Sequence, residues 1–83
     1  MPRYWNRLVA EVGAFLFGSG IELFEINLYN NGRTLSVMYA KQGEMESNEL
    51  YVSFCEPYKD VYIRKVFRKL SRRVKSFCKR ESI

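Results

Sequence analysis

Histidine is absent from all 83 residues. That removes the side chain most often used as a general base near neutral pH. Cysteine is scarce, with only Cys55 and Cys78. Two thiols make neither a disulfide framework nor, without other ligands, a zinc site. They are read as reduced, and the chain as cytoplasmic. Serine and cysteine have no evident activating partner. No glycine-rich phosphate loop follows a strand. These absences predict a protein that is not an enzyme and takes no cofactor or metal.

Long hydrophobic runs are also missing. The apolar run from Val12 to Phe17 is short, and no small-residue cleavage site follows it, so it does not read as a signal peptide. No segment approaches membrane-spanning length. Proline occurs only at Pro2 and Pro57, each suited to open a helix.

Apolar residues make up 47% of the chain and aromatics 16%. That is too rich for disorder. The length allows one domain, residues 1–83, with a small core. The net charge of +5 hides an asymmetry. Met1 to Tyr58 carry four bases against seven acids, a net −3. Lys59 to Ile83 carry ten bases against two acids, a net +8. A mildly acidic body bearing one strongly basic element points toward an anionic partner.

Tyr4, Trp5, Leu8, Val9, Val12, Phe15 and Leu16 recur at helical spacing. Gly18-Ser19-Gly20 then breaks the chain. The spacing predicts a helix over residues 3–17, with a strand from Leu8 to Phe17 as the alternative because Gly13 weakens a helix. Next, Phe24, Ile26 and Leu28 alternate with polar residues, as do Leu35, Val37 and Tyr39. Asn31-Gly32 between them suits a type I′ turn, whose central residues both need positive φ. A two-residue loop there pairs Leu28 with Leu35, Ile26 with Val37 and Phe24 with Tyr39. A polar loop follows, and Leu50, Val52 and Phe54 alternate over a third strand, residues 49–55. The expected fold class is α+β. An N-terminal helix, a three-stranded antiparallel meander and a long C-terminal helix follow in order, with both helices on one sheet face.

The last helix is predicted from Tyr58 to about Arg80. Ile63, Val66, Phe67, Leu70, Val74 and Phe77 fall on one narrow stripe, with Cys78 at its edge. Arg64, Lys65, Arg68, Lys69, Arg72, Arg73, Lys75, Lys79 and Arg80 take the rest of the surface, with no acid among them. Tyr58, Val61 and Tyr62 are expected on the outer surface near the start. Like charges at i,i+4 repel, so an unmixed basic face implies a use beyond solvation. Successive phosphates of a nucleic acid fit that use. Asn and Gln are absent from the helix, so base readout would fall to Arg alone. Tyr58 and Tyr62 beside Lys65 and Lys69 are candidates for base stacking. Membrane binding needs the apolar stripe free, and the sheet is expected to use it.

A helix of 23 residues from Tyr58 to Arg80 outreaches a seven-residue strand. Val74 and Phe77 are then expected bare unless the first helix or another subunit covers them, which makes that end a candidate contact for a homodimer or a host protein. On the outer sheet face, Tyr29 and Tyr51 are better read as ordinary strand residues than as stacking platforms. Glu44, Glu46 and Glu49 read as a solvated acidic loop, because no glycine pins them into a calcium site.

The element order is similar to that of double-stranded-RNA-binding domains. The Gly-Pro turn and compact lysine cluster of that family have no counterpart here. The reading is a small binding protein that engages a polyanion, nucleic acid first, through its last helix. The runner-up is a phage or mobile-element type of inhibitor that binds a host protein.

Overall fold

The computed structural model describes residues 3–82. The helix-opening role read for Pro2 lies outside them, and so does the side-chain placement of Tyr4. Helix α1 (Arg3–Gly18) leads into strands β1 (Ile21–Tyr29), β2 (Thr34–Lys41) and β3 (Asn48–Ser53). A short 3-10 helix (Asp60–Tyr62) then runs into α2 (Ile63–Glu81). The sheet order is β1-β2-β3, antiparallel throughout. The αβββα layout is the one the hydrophobic periods predict, and the strand alternative for Leu8 to Phe17 is not adopted.

Trp5, Leu8, Val12 and Leu16 of α1 are buried against Leu35, Val37, Tyr39, Leu50 and Val52 of the sheet. Val66, Leu70, Val74 and Phe77 of α2 join the same core. Ile63, Phe67 and Cys78 flank them, partly buried. Phe15 of α1 meets Phe67 of α2 edge-on, with ring centroids 5.6 Å apart. Both helices thus cover one sheet face, as a sheet of alternating polarity requires.

The hairpin keeps the expected pairs Leu28 with Leu35 and Ile26 with Val37. Its loop differs. Residues 30–33 connect the strands, and Asn30, Asn31 and Gly32 all take positive φ. The tight turn centres on Asn30-Asn31, closed by the Gly32 N–H on the Tyr29 carbonyl at 3.1 Å. The third left-handed residue falls to glycine, which has no Cβ to clash. The Gly32 carbonyl also accepts from the Tyr58 N–H at 2.8 Å, tying the hairpin tip to the approach to α2.

Phe24 does not pair with Tyr39. Leu23 does, because a bulge between Leu23 and Glu25 leaves Phe24 as the extra residue. Ile21 and Leu23 therefore supply the inner face at the start of β1, and Phe24 is 41% exposed. β1 is an edge strand, and a bulge there discourages pairing with another chain.

The expected overhang of the last helix is also corrected. Val74 is 5% exposed and Phe77 2%, both buried within the chain itself. The α-helix proper begins at Ile63 and has 19 residues, whereas β1 has nine and β2 eight. These lengths correspond to about 28 Å of helix against about 30 and 27 Å of strand, so the sheet reaches the helix end. Phe77 rests edge-on against Tyr39, with centroids 5.2 Å apart. Neither side chain is left as a surface for a partner.

Candidate nucleic-acid interface

The bases of α2 divide into two rows with different surroundings. Arg64, Arg68, Arg72, Lys75 and Lys79 lie at steps of three or four residues, which stacks them along one side of a helix. All are exposed. Among the described residues none of the five forms an ion pair or a side-chain hydrogen bond. The buried residues Val66, Leu70, Val74 and Phe77 fix the opposite side of α2 on the sheet. The packing of the core therefore aims this ridge at solvent. It spans about 22 Å along the helix axis.

The second row is Lys65, Lys69 and Arg73, and it faces the free edge of β3. The Lys65 ammonium donates to the Ser53 carbonyl at 2.6 Å. Lys69 donates to the Tyr51 carbonyl. The Arg73 guanidinium donates to the Glu49 carbonyl at 3.0 Å. Helix residues four apart rise about 6 Å, and strand residues two apart about 6.6–6.8 Å. The two periods run nearly in step, so one helix row satisfies alternate carbonyls of one strand. Edge strands need such cover against unwanted pairing. The partners are neutral, so all three positive charges remain on the surface.

Arg80, two turns beyond Arg73 on the same side of α2, holds its guanidinium over the Phe77 ring at 5.6 Å. With Lys41, Glu44, Glu46, Asn48 and Glu81 it also lines a cleft of about 310 Å³ beyond the end of the sheet. Two bases and three acids give that cleft no dominant sign. Glu44, Glu46 and Glu49 do not converge: no group of three or more potential metal ligands is found among the described residues.

The tyrosines at the entrance to α2 are not where the helical wheel put them. Tyr58 precedes the 3-10 helix, is 3% exposed, and packs edge-on against Phe54 with centroids 5.5 Å apart. Tyr62 stacks on Phe54 at 5.4 Å with the rings 8° from parallel. Its hydroxyl donates to the Glu56 carboxylate. That bond raises the Tyr62 pKa and holds Glu56 below the usual carboxylate range, with Lys59 adding to the latter. Both rings are committed to a local cluster, and Tyr58 offers no free face to a base. The wheel misplaced Tyr58 because it assumed one continuous α-helix from that residue.

Acids elsewhere are paired locally or stand off the ridge. Arg7 of α1 bridges Glu11 at 2.7 Å and also Asp60, pinning the start of the last helical segment to α1. On the outer sheet face, Glu49 accepts from Tyr51 at 2.7 Å and from Ser36 at 3.2 Å. The Tyr51 ring remains 49% exposed there. The β3 edge was not anticipated as part of the site. The repeat of bases at 65, 69 and 73 was visible in the sequence. Which strand would lie beside it was not.

No helix among the described residues is long and apolar enough to cross a membrane. Comparison with protein-family models, with curated proteins and with solved structures yields no match, so the α+β fold and this basic surface are what characterise the chain.

Proposed function

We propose that the protein binds nucleic acid through its sugar-phosphate backbone, using the exposed ridge of α2 and performing no chemistry on it. The observation that carries this reading is the row Arg64, Arg68, Arg72, Lys75 and Lys79, all exposed and none ion-paired among the described residues. Five cations held about 5–6 Å apart are mutually repulsive in the free protein. Binding a line of phosphates relieves that repulsion and releases counterions. The row contains only Arg and Lys, and neighbouring aromatics are buried or engaged, so recognition is of backbone charge rather than base sequence. Two free cysteines fit a reducing compartment such as the cytoplasm.

The test is charge reversal. A chain carrying Arg68→Glu, Arg72→Glu and Lys75→Glu is compared with wild type by fluorescence anisotropy on a labelled duplex at low salt. All three side chains are exposed, so the variant folds, and circular dichroism checks that it does. The expected result is loss of binding with the fold retained. Equal binding by both proteins, or none by wild type, would overturn the proposal. So would a nuclease-treated pull-down in which a single stoichiometric protein remains on the ridge.

A further inference from the structure

We propose, resting on the nucleic-acid reading above, that the seam between α2 and the β3 edge is a track for an extended single strand. Three features converge there. The first is the row of fixed cations, with Lys65, Lys69 and Arg73 held on the carbonyls of Ser53, Tyr51 and Glu49. An ammonium in one such bond has donors to spare, and a guanidinium has more. Being already ordered, these side chains lose less rotamer freedom on binding than the free ridge does.

The second feature is the strand edge itself. In an antiparallel ladder the N–H and C=O of one residue point to the same side. The carbonyls of residues 49, 51 and 53 point at α2 and away from β2, so their N–H groups open onto the seam as well. The seam therefore repeats one cation and one backbone N–H every two residues of β3. That repeat is roughly 6.6–6.8 Å. A nucleotide has twice as many backbone bonds as an amino-acid residue, so its extended repeat is roughly 6.6–7.2 Å. In a duplex, the phosphates of one strand advance about 3.4 Å each along the axis while winding around it, so they follow a curved path and not a straight row. An extended single strand can follow the straight seam along its whole length, whereas a duplex strand meets it only locally before curving away.

The third feature is Tyr51. Its ring is half exposed on the outer sheet face at this same edge. Its hydroxyl is anchored on Glu49 at 2.7 Å, which also holds its pKa above the ordinary value. An anchored aromatic beside a line of cations is the arrangement on which successive bases stack without sequence preference. The strand's phosphates lie in the seam and one base turns over the edge onto Tyr51.

The full chain is titrated by anisotropy against labelled oligo-dT of about 20 nucleotides, longer than one binding site. The same strand annealed to oligo-dA gives the duplex arm. The single strand is expected to bind more tightly than the duplex. Tyr51→Leu weakens the single strand about tenfold and leaves the duplex unchanged, whereas Tyr51→Phe retains both. Lys69→Gln reduces the salt slope for the single strand by about 0.7, the value of one phosphate. Equal affinity for both ligands, or a Tyr51→Leu effect that is absent or the same on both, overturns the track and leaves the ridge proposal standing. Failure of wild type to bind either ligand overturns both.

Discussion

Phe77→Ala decides whether the far end of α2 belongs to the core or to a partner. Phe77 is 2% exposed and meets Tyr39 edge-on at 5.2 Å. Truncating a buried phenylalanine removes its transfer free energy and leaves a cavity, at a cost of about 3–5 kcal/mol. A small domain has only about 5–15 kcal/mol in total. The loss is therefore a large fraction of the stability, and the melting temperature should fall by at least about 12 °C. Urea unfolding followed by the fluorescence of Trp5, the one tryptophan and a core residue, measures this directly. The midpoint should drop sharply with the slope unchanged. A loss below about 1 kcal/mol would mean Phe77 is not packed in the free chain. The end of the helix would then be open to a partner after all.

Two further substitutions probe the interior and its polar rim. The Tyr39 ring is buried, and its hydroxyl has no hydrogen-bond partner among the described residues. Tyr39→Phe should raise the unfolding free energy measured in urea by about 1 kcal/mol or more, because an unsatisfied buried group costs that much; a lowered free energy would contradict the assignment. The bond between Tyr62 and Glu56 has a definite pH signature. Glu56 is held below its unfolded pKa, so its contribution is present above that unfolded value and fades as pH falls through the folded one. Tyr62 is raised above its unfolded pKa of about 10, so its contribution is complete below that pH and is lost on further alkalinisation. The stability difference between wild type and Tyr62→Phe should be flat from about pH 6 to 9 and shrink at either extreme, and a difference that grows toward acid would refute the pairing.

Most of the fold was legible because it rests on periodicity. The turn-rich Asn30-Asn31-Gly32 and the flanking alternation set the register of Leu28 with Leu35 and Ile26 with Val37. The helical stripe from Ile63 to Phe77 named the buried face of α2. The bulge was hidden because Leu23 and Phe24 are both apolar, and Phe24 keeps phase with Ile26 and Leu28. No local rule says which of two adjacent apolar residues a strand will expel. Tyr58 was misplaced because a tethered turn and a 3-10 helix precede the α-helix, and both change the angular step. The exposed ridge was readable from spacing alone. The division of the bases into a free row and a row held on β3 was not, because it depends on which strand forms the sheet edge beside α2.

Binding of phosphates by the free ridge shows most plainly in the salt dependence of binding to a duplex. Five ridge cations set a limit of about −4.5 on the slope of log K against log salt, and Arg68→Gln moves the slope toward zero by about 0.9. Binding that is indifferent to salt, or a slope unmoved by Arg68→Gln, would mean that the ridge does not bind phosphates.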